Sequence, residues 1–379
     1  MTKPIYLDYN ATTPHDPEVI AAMRPFLETE FGNPSSSHSY GVSARKAVET
    51  ARRQVAALLG CLPREVVFTS GGTESINFAI TGIAHALGSK GNHIVTSRIE
   101  HPAVLEVCRH LERRGFETTY LPVDEHGIVT VADIEAGIRS ETILITVMHA
   151  NNEVGSIQPI NEIAQIARGR GIAIHVDAAQ SMGKIPVNVR DLGIDLLSIA
   201  GHKLYAPKGI GALYVRQGVV IERFVHGAGQ EMGKRAGTEN VLGIVGLGKA
   251  CDIIRRSFSA GAEHMQQMRD LLFDELKKEI TPIRVNGHPD LRLPNTLSIS
   301  FKNLEANRIL AEIEPEVAAS AGAACHSGTV ELSHVLQAMN VPIEWAKGTL
   351  RFSTGRMTTP AEIHRAVKVI IDSIRRLSK

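Results

Sequence analysis

Apolar residues recur at Ala44, Ala47, Val48, Ala51, Val55, Leu58 and Leu59, three and four positions apart, and Gly60 follows. That period lines one face of a helix, and the glycine marks its C-terminal stop. Downstream the pattern changes. Val66–Thr69, His93–Thr96, Ile143–Val147, Ile172–Val176, Leu196–Ala200 and Ala212–Val215 are short, mostly unbroken apolar runs with helical stretches between them. Such runs predict strands covered on both faces, as in a parallel sheet sandwiched by helices. Their alternation with helices predicts a doubly wound α/β domain. Residues 241–280 carry a long helical pattern, and from Asn295 strands and helices resume in a different order, which predicts a second, smaller α+β domain. The chain closes on Thr359-Pro360-Ala361-Glu362, a capping box with proline at the first helical position. The stripe Ile363, Val367, Ile370, Ile374 and Leu377 continues that helix.

Composition narrows the class of protein. A length of 379 residues allows two domains with ample core, and 43% hydrophobic with 21% charged residues is ordinary for a soluble globular chain. Forty-one basic residues against 40 acidic leave a net charge of +1. Nothing there marks a nucleic-acid surface or a polybasic membrane patch. No apolar run approaches the roughly 20 residues of a membrane span, and Met1–Asp8 has no apolar signal core. No internal repeat appears. Cys61, Cys108, Cys251 and Cys325 are far apart and form no CxxC pair. That argues against a zinc site or a disulfide framework and predicts a reducing, cytoplasmic setting.

In open α/β sheets ligands sit at the carboxyl ends of the strands, so the residues that follow each run carry the candidate chemistry. After Val66–Thr69 comes Ser70-Gly71-Gly72-Thr73-Glu74-Ser75, opening a helix. This is either a plain strand-to-helix turn or an anion cradle of backbone N–H groups at a helix N-terminus, with the Thr73 hydroxyl added. It is not a nucleotide P-loop, because GxxxxGK[ST] is absent. After His93–Thr96, His101 precedes Pro102; it is structural, or it stacks on a ring and moves protons near neutral pH. After Ile143–Val147, Asn151 and Asn152 serve a turn or offer amides to a ligand. Asp177 ends the run Ile172–Val176, where it caps a helix or meets a cation. Lys203, in Gly201-His202-Lys203, is solvated or, where partly buried, suited to Schiff-base chemistry.

Each signal alone is weak, but the set is specific. Pyridoxal phosphate needs a lysine for its aldehyde, an acid for its pyridinium nitrogen and a cradle for its phosphate. The strand ends supply all three, with Asp177 to keep the ring nitrogen protonated.

With those residues in view the chain resembles the pyridoxal-phosphate-dependent cysteine desulfurases of the class V aminotransferase group. The resemblance runs through Tyr6-Leu7-Asp8-Tyr9-Asn10-Ala11-Thr12-Thr13, Phe31-Gly32-Asn33-Pro34-Ser35-Ser36, Phe68–Ser75, His175-Val176-Asp177-Ala178-Ala179-Gln180, Gly201-His202-Lys203 and Arg351-Phe352-Ser353. It implies the aspartate-aminotransferase-like fold of that cofactor class. The large cofactor-binding domain would span residues 12–260, and 1–11 with 261–379 would form the small domain that carries the catalytic cysteine. It also implies roles. Lys203 would hold the cofactor; Gly72, Thr73 and His202 would bind its phosphate; His101 would stack on its ring and shuttle protons; Asp177 would pair with the ring nitrogen. Asn152 and Gln180 would contact the ring oxygen or the substrate, and Arg351 would clamp the substrate carboxylate. Thr238 would reach the phosphate of a neighbouring subunit, which implies a homodimer. Relatives often carry serine before Gly-His-Lys where this chain has Ala200, so one phosphate hydrogen bond is missing or supplied otherwise.

Ala321-Gly322-Ala323-Ala324-Cys325-His326-Ser327-Gly328 sets one cysteine among small residues, a composition expected of an exposed, mobile loop. By the resemblance Cys325 is the nucleophile that takes sulfur from L-cysteine as a persulfide, leaves L-alanine and passes the sulfur to an acceptor protein. The direction of the adjacent His326 is open. Selenocysteine lyases share the same motifs and are the nearest alternative; an aminotransferase would need no thiol there. Iron–sulfur cluster assembly, tRNA thiolation and DNA phosphorothioation are all open as destinations of the sulfur.

Overall fold

The computed structural model describes residues 3–326 and 329–378, with the side chains of residues 323–331 outside that description. Its centre is a seven-stranded sheet in the order Val66–Thr69, Gly211–Val215, Leu196–Ala200, Ala173–Asp177, Thr142–Met148, His93–Ser97, Glu117–Leu121. Five neighbouring strands run parallel, and Gly211–Val215 alone opposes both of its neighbours. All six strands read from apolar runs are buried from end to end, with every end within one residue of its run. Unbroken apolar runs suit this position because helices cover both faces. The edge strand Glu117–Leu121 is half-exposed and polar, so no apolar run announces it.

All the parallel strands and Val66–Thr69 point the same way, so Thr69, Ser97, Met148, Asp177 and Ala200 end along one rim. Close backbone approach holds the first of these turns in place. A Cβ on Gly211 would sit 2.8 Å from the Gly71 Cα, and one on Gly72 would meet the Ala200 Cβ at 3.1 Å. Glu231 reinforces the same strand from behind. Its carboxylate accepts two hydrogen bonds from the Arg52 guanidinium, both 2.7 Å, and a third from the Phe68 backbone N–H at 2.7 Å. Arg52 and Glu231 are both buried. Removing one partner of such a pair strands a charge in the core. Glu231→Ala is therefore expected to destabilise the protein by about 3–5 kcal/mol. Urea unfolding followed by far-UV circular dichroism checks this, and a loss under about 1 kcal/mol would show that the pair does not hold the strand.

A separate apolar core unites Ile5 and Leu7 with Leu272, Leu297, Ile299, Phe301, Leu350, Phe352, Ile363 and Ile370. Over it lies a four-stranded antiparallel sheet in the order Ser320–Ala321, Thr349–Ser353, Thr296–Phe301, Ile283–Asn286. The helix Val241–Glu279 spans both parts, with Ile244, Leu247 and Cys251 in the larger core and Met268, Leu272 and Leu276 in the smaller. It departs from helical geometry at Ser257, φ −122°, whose hydroxyl donates back to the Ile253 carbonyl at 2.9 Å. The N-terminal segment joins the smaller part. Ile5–Tyr6 pairs with Val317–Ala318, and the Ser353 N–H donates to the Leu7 carbonyl. Asn10 is thereby carried to the rim of the large sheet. The closing helix Pro360–Leu377 begins with the expected capping box of Thr359 and Glu362.

Candidate active site

A cavity of about 340 Å³ opens at the strand rim. Its walls bring together Gly72, Thr73, His101, Asn152, Asp177, Gln180, His202, Lys203 and Arg351 from distant parts of the chain, with Asn10, Ala11 and Ala200 beside them.

 

Each of these residues arrives by its own route. His101 caps the helix Pro102–Glu112, its Nδ1 accepting the Ala103 N–H at 3.1 Å. The remaining ring proton therefore sits on Nε2. The capping bond leaves the ring in the cavity wall. His101 is open to solvent through the cavity, and the atoms packed around it still lower its pKa below the usual value, with Asp177 opposing. The two asparagines divide the two readings between them. Asn151 is buried and makes the turn, its Oδ1 accepting the Glu153 and Val154 N–H groups at 2.8 and 3.0 Å, while Asn152 lines the cavity. A turn, not a helix, follows Asp177, so the capping reading fails; its Oδ1 takes the Ala179 N–H at 2.9 Å within that turn, and its carboxyl lines the cavity. Burial raises its pKa, opposed by that N–H and by His101 and Lys203.

Lys203 donates to the backbone carbonyls of Asn10 at 2.5 Å and Ala11 at 2.8 Å. Burial, then the nearby Arg351 charge, pulls its pKa down to about 8, against Asp8 and Asp177. At neutral pH about a tenth of such an amine is unprotonated, several hundred times more than for an ordinary lysine. The rate at which apoprotein takes up pyridoxal phosphate is accordingly expected to rise through pH of about 8. Stopped-flow absorbance checks this, and a rate still climbing tenfold per pH unit well above that value would contradict it. His202 contacts the Thr12 hydroxyl at 3.2 Å, and burial lowers its pKa to about 4, so it is a neutral ring.

Arg351 reaches the cavity from the strand Thr349–Ser353 of the smaller sheet. It donates to Asp8 Oδ1 at 2.7 Å, to the Ser320 hydroxyl at 3.1 Å and to the Asn152 carbonyl at 3.1 Å, and its Nε has no partner. Asp8 and Asn10 were not read from the sequence as site residues. Their signal is local: two polar residues alternate with Leu7 and Tyr9 immediately after an apolar strand start. Glu100 is another unread residue, a fully buried acid behind the rim. It accepts from the Ser97 hydroxyl and the Met148 N–H, and burial lifts its pKa to about 8.

Two expected residues stand apart. Thr238 is exposed and lies outside this cavity, in a neighbouring one of about 220 Å³ shared with Ser70, Arg235 and Asn240. The Cys325 backbone belongs to an antiparallel ribbon, Ala323–His326 against Thr329–Leu332, with Cys325 opposite Val330. A loop is what the small residues predict; the pairing strand brings the β-branched Thr329 and Val330 that favour a ribbon. The Cys325 and His326 side chains lie outside the described residues, as do Ser327 and Gly328. At the base of the ribbon the Ser333 hydroxyl donates to Glu153 Oε2 at 2.5 Å, and His334 Nε2 meets the Glu100 carbonyl at 3.0 Å.

The donor set fits pyridoxal phosphate. A half-buried amine of lowered pKa, a buried acid and the N-terminus of the helix Gly72–Leu87 face one cavity. Comparison with known proteins agrees. The family model described as aminotransferase class-V matches residues 5–366. A cysteine desulfurase IscS of Dictyoglomus turgidum is 49% identical over 382 residues, covering 100% of this chain and 97% of that one. Among solved structures, a NifS-like protein superposes with a TM-score of 0.93 at 37% identity, covering 99% of this chain and 100% of the other. A structure described as SspA in complex with cysteine gives 0.83 at 38% identity, covering 94% and 100%. The chain therefore belongs to the class-V aminotransferase family, in its pyridoxal-phosphate-dependent cysteine desulfurase branch.

Proposed function

We infer that this protein removes sulfur from L-cysteine, leaving L-alanine and a persulfide on Cys325 whose outer sulfur goes to an acceptor. The convergence of Lys203, Asp177, His101 and Arg351 on one cavity carries this reading, and the cysteine bound to the SspA relative supports the substrate. When bound, pyridoxal phosphate supplies an aldehyde for an amine and a ring that withdraws electrons from the substrate carbons.

The chain's own residues do the rest. Lys203 Nζ holds the cofactor and moves protons at the substrate α-carbon, and its lowered pKa leaves it able to do both near neutral pH. Asp177 supplies the anion for the ring nitrogen, and the Gly72 and Thr73 N–H groups with His202 receive the phosphate. His101 stacks on the ring, with its Nε2 proton available. Asn152 and Gln180 reach the ring oxygen or the substrate. Arg351, which lines the cavity, takes the substrate carboxylate. At Cys325 the thiolate sulfur bonds to the substrate sulfur while the substrate carbon–sulfur bond breaks. That bond's electron pair stays with carbon, which takes up a proton, so thiol and cysteine become persulfide and alanine with no outside oxidant.

The same reading takes residues 12–260 as the cofactor-binding domain and 1–11 with 261–379 as the smaller one, supported by the separate core around Ile5, Leu272 and Phe352. Exposed Thr238, outside the Lys203 cavity of its own chain, supports a homodimer in which it serves the neighbouring subunit. Cys61, Cys108 and Cys251 are free thiols, which supports a reducing, cytoplasmic setting. Among the described residues no helix is long and apolar enough to cross a membrane. The proposed acceptor is a sulfur-carrier or cluster-scaffold protein.

The test is turnover of L-cysteine by holoenzyme with dithiothreitol as sulfur acceptor. Alanine and sulfide are expected in equal amounts. Formation of a 2-oxo acid in place of alanine would overturn the reading, and a much faster reaction with L-selenocysteine would move the assignment to selenium release.

A further inference from the structure

Lys184 lies one layer behind the cofactor cavity. It is buried, and its ammonium donates to Asn10 Oδ1 at 2.8 Å and to Gln180 Oε1 at 2.7 Å. Both partners line the cavity, and Lys184 does not. Its partners are neutral amides, and the charges acting on it, Lys203 and Arg351, have its own sign. A buried lysine without a carboxylate is costly, and an apolar chain of the same length would cost less. The position therefore calls for an explanation beyond packing.

The chemistry of the contact supplies one. The Asn10 backbone carbonyl only accepts, so the Gln180 atom that faces it is the amide nitrogen and the one that accepts from Lys184 is the carbonyl oxygen. The Gln180 amide nitrogen then faces the other way, and one of its protons goes to the Asn10 carbonyl at 2.9 Å. The second is left for the cavity. Asn10 is oriented by the same ammonium: its Oδ1 accepts from Lys184 and from Asn295 at 3.0 Å, and its Nδ2 donates to the Thr296 hydroxyl at 2.8 Å and the Asn152 carbonyl at 3.1 Å. The Asn10 carbonyl is also one of the two acceptors of Lys203. One buried amine thus donates into a network that touches Gln180, Asn152 and Lys203.

We infer that Lys184 is a positioning residue that locks the Gln180 amide with its N–H side toward the cavity, as a fixed donor to an anionic oxygen of bound pyridoxal phosphate. This rests on the cofactor reading above. The ordinary lysine pKa is lowered here chiefly by burial, then by Lys203 and Arg351. Asp8 and Asp177 favour the positive charge at Lys203, and Asp177 and Lys203 both act on His101. An anion entering the cavity favours the protonated form of Lys184, so the lock tightens as the ligand binds.

The experiment is a pH titration of the visible absorption of holoenzyme, in the wild type, Lys184→Met, Lys184→Arg, Gln180→Ala and the Lys184→Met/Gln180→Ala double variant. A donor to the ring oxygen stabilises its anion and lowers the proton affinity of the Lys203-linked cofactor. Lys184→Met is expected to raise the titration midpoint by about one pH unit, the size of one hydrogen bond to a charged acceptor. Lys184→Arg keeps a donor and is expected to stay near the wild type. In the Gln180→Ala background Lys184→Met is expected to add nothing. A Lys184→Met midpoint equal to the wild type overturns the inference. So does a full shift in the Gln180→Ala background, which would make Lys184 act through charge alone. Should Lys184→Met fail to fold, Gln180→Ala alone must give the upward shift, and its absence is equally decisive. Wild-type protein that takes up no cofactor overturns the cofactor reading itself, whereas a loaded enzyme with an unmoved midpoint overturns only the role of Lys184.

Discussion

Lys203→Ala is expected to abolish covalent capture of pyridoxal phosphate and to lower L-cysteine turnover by about 10³-fold or more, since both the attachment and the proton transfers are lost. The variant should still fold. Lys203 contributes a partly desolvated charge and two bonds to the carbonyls of Asn10 and Ala11. Its removal takes away a charge that burial disfavours, and Asp177 loses one of the two cations that favour its ionised form. Borohydride reduction followed by mass measurement checks the capture: the wild type gains the cofactor mass and the variant does not. Retention of turnover within tenfold would remove Lys203 from the centre of the mechanism. Adding a small primary amine is expected to restore part of the activity, because the cavity and its other residues remain.

Cys325→Ala is expected to bind L-cysteine with the same change in visible absorption as the wild type, and to lose protein-bound sulfane sulfur entirely. Alanine production should fall by at least about 100-fold, because no thiolate remains to take the sulfur. No other cysteine described in this structure can substitute. Burial pushes the thiols of Cys61, Cys108 and Cys251 up to about 12, so they hold their protons at neutral pH. A free thiol has a pKa of about 8.5 and supplies a few per cent of thiolate at pH 7. Cyanolysis of protein treated with L-cysteine measures the bound sulfur. Undiminished sulfane sulfur in Cys325→Ala would sink the assignment of Cys325. Alanine substitutions at Cys61, Cys108 and Cys251 should leave the signal intact.

Much of this site was legible along the chain because its residues sit at the ends of apolar runs. Six strands were readable from mostly unbroken hydrophobic stretches, and the residues after the runs Val66–Thr69, Ile172–Val176 and Leu196–Ala200 include Gly72, Asp177 and Lys203 of the cavity wall. His101 and Asp177 each make a local backbone bond and still line the cavity. The edge strand Glu117–Leu121 was not legible, because a half-exposed strand needs no apolar run. The ribbon around Cys325 was not legible either, since alanine and glycine say little about pairing until the partner strand is known.

Local pattern and order along the chain were enough to establish the alternating strands and helices and the capped closing helix, and to mark the strand-end side chains as candidates, because each depends on neighbours a few positions away. Burial and charge at the site depend on residues brought together from far apart. Lys203 meets the Asn10 carbonyl across 193 positions, and Arg351 meets Asp8 across 343. The lowered amine pKa, the paired arginine and the Lys184 network exist only once the N-terminal segment is stitched to the smaller sheet and carried to the strand rim. Desolvation and Coulomb interaction act through space, and no one-dimensional pattern encodes which distant groups will share a cavity.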